Sequence, residues 1–384
     1  MSNARQKVVC AMSGGVDSSV AAAVLKQRGF EVIGVFMRLG SPDGVESSAP
    51  SAECGYADER SQSAPRRHKQ GCCSVLDAAD ARRVAAALEI PLYVLNFQDD
   101  FGRVIDYFVD EYNAGRTPNP CVRCNDWLKF GRLAQYAEAV GADFVASGHY
   151  ARIGIDPATG EPALLRGVDH RKDQSYVLFG MSREKLTKTL LPIGELEKPA
   201  VRQLAERFGL PTYNKPDSQE ICFVPNHDYA GLLRRRTPAA VRPGVLVDTK
   251  GNVVGRHDGH QHFTIGQRKG VGVALGYPIY VAEIDPARNR VTLAAKEALL
   301  KRGLVASQVN LLSARLGVGV KDYPCQVKIR YNAEPCRARV SVPACDMIEL
   351  TFDDRQAAVT AGQAVVLYDG EVVLGGGWID RAID

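Results

Sequence analysis

No apolar run approaches the ~18 residues that suggest a membrane-spanning helix, and the opening MSNARQKVVCAMSGG passes from a short strand to a polar loop without a secretory leader. A cytoplasmic protein is expected, with no membrane and no DNA among its partners. Charge of one sign is also scarce: 48 basic residues face 44 acidic ones, for a net charge of +4. That balance demands no nucleic acid, although RRHK at 66–69, RK at 171–172, RRR at 234–236 and RK at 268–269 are local basic clusters. No repeat of fixed period is visible. What is present is a 384-residue chain, 45% hydrophobic and 24% charged, which reads as globular with two or three domains. Its ten cysteines, without a leader, argue against a disulfide scaffold and for reactive or metal-binding thiols.

Strand-like 7–11 and 31–37 flank a helix-like 18–28. Helices over 77–89, 100–112 and 129–141 then alternate with strands at 92–96 and 143–147, the pattern of a parallel α/β sheet. From about 224 onward short alternating runs and glycine-rich turns predict antiparallel β structure. The expected fold is α/β: a parallel-sheet domain over 1–223 with a flexible excursion at about 40–71, a small β-rich domain over 224–298, and a barrel-like domain over 299–384. Trp378, behind a run of three glycines, is expected in the core of that barrel.

SGGVDS at 13–18 lacks the lysine of a Walker A loop and the spacing of a dinucleotide loop. Gly14 and Gly15 allow a close backbone turn, Ser13 and Ser18 offer hydroxyls, and the following helix aims its amides at an anion. Asp17 repels a bare phosphate and suits a magnesium ion or a helix cap. An ordinary strand–turn–helix connection is the plainer alternative. The stretch resembles the pyrophosphate loop of N-type ATP pyrophosphatases, which implies cleavage of ATP to AMP and pyrophosphate and leaves the acceptor open.

GRTPNPCVRCNDWLKF at 115–130 sets Cys121 and Cys124 just before a helix, a spacing that suits a metal, a disulfide or a stabilised thiolate. DSQEICFVP at 217–225 adds Cys222. Together with AMSGGVDSSVAA, CCSVLDAADARRVA, ASGHYARI, RKDQSYVLFG, HFTIGQRKG, KIRY and GQAVVLYDGEVVLGGG, these stretches resemble the bacterial tRNA-specific 2-thiouridylases from residue 11 to residue 377. The resemblance implies an ATP site at Ala11, Met12, Ser13, Gly14, Gly15, Val16, Asp17, Ser18, Met37 and Gly148, with Mg2+ as cofactor. It implies that Cys222 carries a persulfide delivered by an upstream sulfur carrier. Cys124 would release that sulfur and end in a transient disulfide with Cys222. Asn119, Pro120 and Cys121 would lie against the target base, and His149, Lys172, Asp173, Gln174, Arg330, Tyr331 and Gln363 would touch tRNA.

Alternatives stand beside that reading. Many members carry Asp where this chain has Cys121, so the trio Cys121, Cys124 and Cys222 suits either redox chemistry or three ligands of a [4Fe–4S] cluster. His149 is either a site residue or a turn residue, and 172–174 either contacts RNA or opens a helix capped by Asp173. HDGHQH at 257–262 favours packing over zinc. Rival classes are an amidating enzyme with the same ATP loop and a non-catalytic RNA-binding module.

Overall fold

The computed structural model describes residues 5–40, 74–217, 221–224 and 228–384. The excursion expected at 40–71 therefore lies, beyond Gly40, outside the described residues, as do Cys54, Cys72 and Cys73.

The amino-terminal half builds β1 (Lys7–Ala11), β2 (Glu31–Arg38), β3 (Leu92–Asn96), β4 (Phe144–Ala146), the hairpin β5 (Ala151–Ile155) and β6 (Pro162–Arg166), and the short β7 (Thr189–Leu190). Strands β3-β2-β1-β4-β7 form one sheet, and every pairing in it is parallel. KVVCA in β1 is covered on both faces, as a central parallel strand requires. Helices α1 (Val16–Gln27) and α2 (Val75–Ala87) pack into one core with it, and α3 (Gln98–Asn113) presents Phe101, Val104, Ile105, Phe108 and Val109 to another. Cys10 is fully buried, and burial pushes its thiol up to about 12, so it is chemically silent.

The helix expected at 129–141 begins earlier, at Pro120, and is composite. A four-residue α4 (Pro120–Arg123) leads into a π-helical stretch, Cys124–Arg132, and then α5 (Leu133–Ala139). Wide π turns are rare and frequently mark functional sites.

The carboxy-terminal half contains β8 (Gly244–Val247), β9 (Val253–His257), β10 (Tyr280–Asp285) and β11 (Arg290–Ala294), in the order β10-β11-β8-β9. The expected antiparallel pattern holds except for β8 with β11, which run parallel. The connection over 258–279 is long enough to carry the chain across the sheet, which a parallel pair needs. The remaining strands are β12 (Leu300–Leu311), β13 (Tyr323–Lys328), β14 (Cys336–Ala344), β15 (Met347–Ala357), β16 (Ala364–Asp369) and β17 (Val372–Ile383). They close into a six-stranded barrel through β12 and β17, which removes the open edges.

Two tertiary features cross the segments expected from sequence. The β5–β6 hairpin, although in the amino-terminal half, extends the barrel sheet through Leu165 opposite Val372. Trp378 does not point into the barrel core; it joins Tyr176, Phe179 and Phe130 in a cluster between barrel and amino-terminal domain. A period-two strand pattern gives Trp378 a face, but not the identity of what covers it.

Candidate active site

In an open parallel sheet, ligands collect beyond the carboxyl ends of the strands, where neighbouring connections leave in opposite directions. Here that point lies between β1 and β4, and both strands end in the predicted residues. Gly14 takes a left-handed φ of 73°. A Cβ there would stand 2.2 Å from the Asp77 carbonyl oxygen, so the position admits only glycine. At Gly148, just past β4, a Cβ would meet the Ser18 amide nitrogen at 2.6 Å. The two glycines thus let α2 and β4 close tightly around the first turn of α1.

Within the loop the Ser13 amide donates to Ser18 Oγ at 3.2 Å, and Ser19 Oγ donates to the Gly15 carbonyl at 2.7 Å. Gly15 caps α1 with no side chain, so the first amides of the helix remain directed at a ligand. Ala11, Met12 and Val16 are buried and can contribute only backbone, whereas Ser13 faces solvent. Met37 is half-buried near the end of β2.

Asp17 does not cap its helix. Its carboxylate accepts from Lys198 Nζ at 2.7 and 2.8 Å and from the Tyr150 hydroxyl at 2.8 Å. Lys198 also pairs with Asp217 at 2.8 Å, and Asp217 with Lys172 at 2.8 Å and Arg202 at 2.9 Å. Lys215 closes the far side, donating to the Gly14 carbonyl at 2.9 Å and to Asp77 at 2.6 Å. Lys198, Tyr150, Lys215 and Asp217 were not legible as site residues. One signal existed: Lys198 opens a helix, where the dipole disfavours a cation unless a carboxylate answers it. The donor set fits a polyphosphate: loop amides and serine hydroxyls ringed by lysines. A magnesium ion would share Asp17 with Lys198 or rest on phosphate oxygens.

The predicted thiols separate into two settings. Cys124 starts the π-helical stretch, and both it and Cys222 are half-buried against one hydrophobic cluster, which Met37 and Leu95 also flank. Cys121 is exposed. Among the described residues no three His, Cys, Asp or Glu side chains form a group that could hold a metal ion.

The residues expected near RNA divide as well. Arg330 is exposed, and Tyr331 is 36% exposed with its ring 5.9 Å from Tyr176. Burial pushes the Tyr331 hydroxyl up to about 12, with Asp173 and then Cys121 adding to the effect, which places these groups in one neighbourhood. His149 is buried, bonded to Ser147 Oγ at 2.7 Å and 3.4 Å from Lys129 Nζ. Burial, and then the Lys129 charge, hold its imidazole well below the ordinary range. Asp173 is also buried; it accepts from the Gly167 and Ser175 amides, and Gln174 accepts from the Tyr150 amide. Gln363 donates to the Thr117 and Pro118 carbonyls at 3.1 and 3.0 Å, so the barrel holds the loop that precedes Asn119 and Cys121. His257 and His260 are buried in the small β domain.

Residues 6–226 match the family model described as "tRNA methyl transferase HUP domain". Residues 232–295 match its "PRC-barrel domain" and 301–379 an "Aminomethyltransferase beta-barrel domain". The chain is 48% identical to the tRNA-specific 2-thiouridylase MnmA of Rhodopirellula baltica, over 98% of this chain and 97% of that protein. It is 45% identical to the protein of the same name from Clostridioides difficile, over 98% and 99% of the two chains. With that of Geotalea uraniireducens it shares 46% over 100% and 97%. Similarity of this extent, end to end, establishes that the chain belongs to the MnmA family of tRNA-specific 2-thiouridylases.

Proposed function

We propose that this protein replaces O2 of the tRNA wobble uridine with sulfur at the expense of ATP. One observation supports it most: Cys124 and Cys222, far apart in sequence, flank the same cluster as Met37 near the carboxyl end of β2. A thiol pair beside a phosphate loop suits sulfur transfer better than amidation, which needs no thiol.

In this reading uridine O2 attacks the α-phosphorus of ATP and pyrophosphate leaves. The α1 amides and Ser13 bind the departing phosphates, while Lys198 and Lys215 hold the loop rigid. A magnesium ion, when bound, would neutralise phosphate charge. Cys222 carries the terminal persulfide sulfur, supplied by an upstream persulfide donor. The Cys124 thiolate attacks Cys222 Sγ, forming the Cys124–Cys222 disulfide and releasing hydrosulfide. That sulfur attacks C2, and AMP leaves with the former O2. An external thiol reductant then restores both cysteines. Cys121, Asn119 and Pro120 flank the base, with Arg330 and Tyr331 on the RNA side.

The test is anaerobic protein with ATP, magnesium, unmodified tRNA and a persulfide donor, scored for tRNA-dependent pyrophosphate and for 2-thiouridine in digested tRNA. Both products without iron support the scheme. Thiolation that requires bound iron and acid-labile sulfide would replace the persulfide steps with a cluster. Pyrophosphate without thiouridine would overturn the acceptor.

A further inference from the structure

Arg123 separates the two cysteines of the Cys121–Cys124 turn and has no assigned part in the scheme above. Its guanidinium carbon lies 3.9 Å from the centre of the Trp378 ring and 5.2 Å from those of Trp127 and Tyr107. Tyr107 in turn meets Trp378 edge-on at 5.7 Å and Trp127 at 6.1 Å. The cation is thus caged by three aromatic rings, two from the amino-terminal domain and one from the barrel.

A single amide completes the cage. Arg123 Nη2 donates to Gln308 Oε1 at 2.6 Å. Gln308 lies in β12 with a left-handed φ of 47°, inside the register shift between Ser307 and Asn310 where β12 pairs with β17. A non-glycine residue in that conformation stores backbone strain, and such strain concentrates where it serves function. On the adjacent strand β17, Trp378 pairs with Ser307 at the border of the same irregularity. The barrel therefore bends one strand so that it presents both an acceptor and a ring to Arg123. Burial lowers the guanidinium from its ordinary range, while Tyr107, Asp126 and Glu111 favour the charge.

We propose that Arg123 is a positioning residue for thiolation: clasped by Trp127, Trp378 and Gln308, it fixes the Cys121–Cys124 turn against the carboxy-terminal barrel. The inference rests on the proposed sulfur chemistry of Cys124. It adds that the barrel sets the aim of that thiol, while ATP is bound elsewhere. An arginine is required because its planar group stacks on indole and forms a directed bond at once, which an ammonium cannot do.

The full-length protein supplies its own probe. Its only two tryptophans, Trp127 and Trp378, both line the cage, so selectively excited tryptophan emission reports on this site. The experiment compares Arg123→Ala, Arg123→Lys and Gln308→Gly with the unaltered chain in the thiolation assay. Arg123→Ala is expected to shift emission to longer wavelength and to lower kcat for 2-thiouridine by roughly 10- to 100-fold, the scale of a misplacement of about 1 Å. KM for ATP and tRNA-dependent pyrophosphate release should stay near the unaltered values. Arg123→Lys should fail to restore kcat. Gln308→Gly relieves the left-handed strain and should raise or preserve Tm while still reducing kcat, so its loss of activity does not reflect unfolding. Unchanged kcat in Gln308→Gly or Arg123→Lys, whether or not emission shifts, overturns the proposal. An unaltered chain that forms no 2-thiouridine overturns the underlying function, a result distinct from either variant's behaviour.

Discussion

Lys198 holds Asp17 of the phosphate loop by both carboxylate oxygens, at 2.7 and 2.8 Å, and is itself only 8% exposed. It reaches Asp217 at the same time, at 2.8 Å, five residues before Cys222 in the chain. One buried cation therefore links the ATP loop to the segment that leads to the proposed persulfide thiol. Replacing Lys198 with Met should destabilise the protein by about 1–2 kcal/mol in urea unfolding, because two half-buried carboxylates lose their shared cation. The double variant with Asp17→Asn should recover part of that loss. Additive effects in the double variant would show that the pair is not coupled.

Gly14→Ala and Gly148→Ala should both weaken ATP use for steric reasons. The first forces a Cβ onto the Asp77 carbonyl in a left-handed conformation, the second onto the first turn of α1. Each should raise KM for ATP by at least about 10-fold and cost about 1–3 kcal/mol of stability. Ser→Ala at Ser13, exposed and able to leave its amide in place, should be much milder. Steady-state kinetics with ATP varied separates these outcomes.

Cys222→Ser and Cys124→Ser should remove 2-thiouridine formation while tRNA-dependent pyrophosphate release continues. Cys10→Ser should have no effect on sulfur transfer, since that thiol is buried in β1 with its titration near 12. Parallel assays of the two products, together with mass spectrometry for a persulfide, check this. Survival of thiolation in Cys222→Ser would remove it from the sulfur path.

Stability should fall with acidification below about pH 6.5, the ordinary histidine value. His149 titrates well below that value when folded, because it is buried and faces Lys129; burial lowers His257 and His262 as well. Between the folded and unfolded pKa values the unfolded chain binds more protons, so unfolding free energy rises with pH and is fully present above the unfolded value. Thermal melts from pH 7.5 down to 5.5 should show Tm decreasing. His149→Gln should flatten that slope in part, and an unchanged slope would remove His149 as a contributor.

Much of the active-site half was legible because its signals are local. Strand alternation, the glycines of SGGVDS and the break at Gly148 are written in adjacent residues, since backbone geometry is decided over a few positions. The excursion from β8 to β11 and the π turn after Cys124 were not, because no periodicity marks a parallel return or an inserted residue. That Gln363 also holds the Thr117 and Pro118 carbonyls was not legible, because an amide side chain carries no record of its partner.

By itself the sequence determined that this chain forms a parallel sheet ending in a phosphate loop, followed by β-rich domains, with its thiols in two polar stretches. Only the tertiary structure decided which groups answer them: Lys198 for Asp17, the barrel for the Cys121–Cys124 turn, Arg123 for Trp127 and Trp378. The physical reason is range. Turn geometry and burial periodicity act between neighbours along the chain, whereas a buried charge takes its partner from whatever the fold brings within about 3 Å.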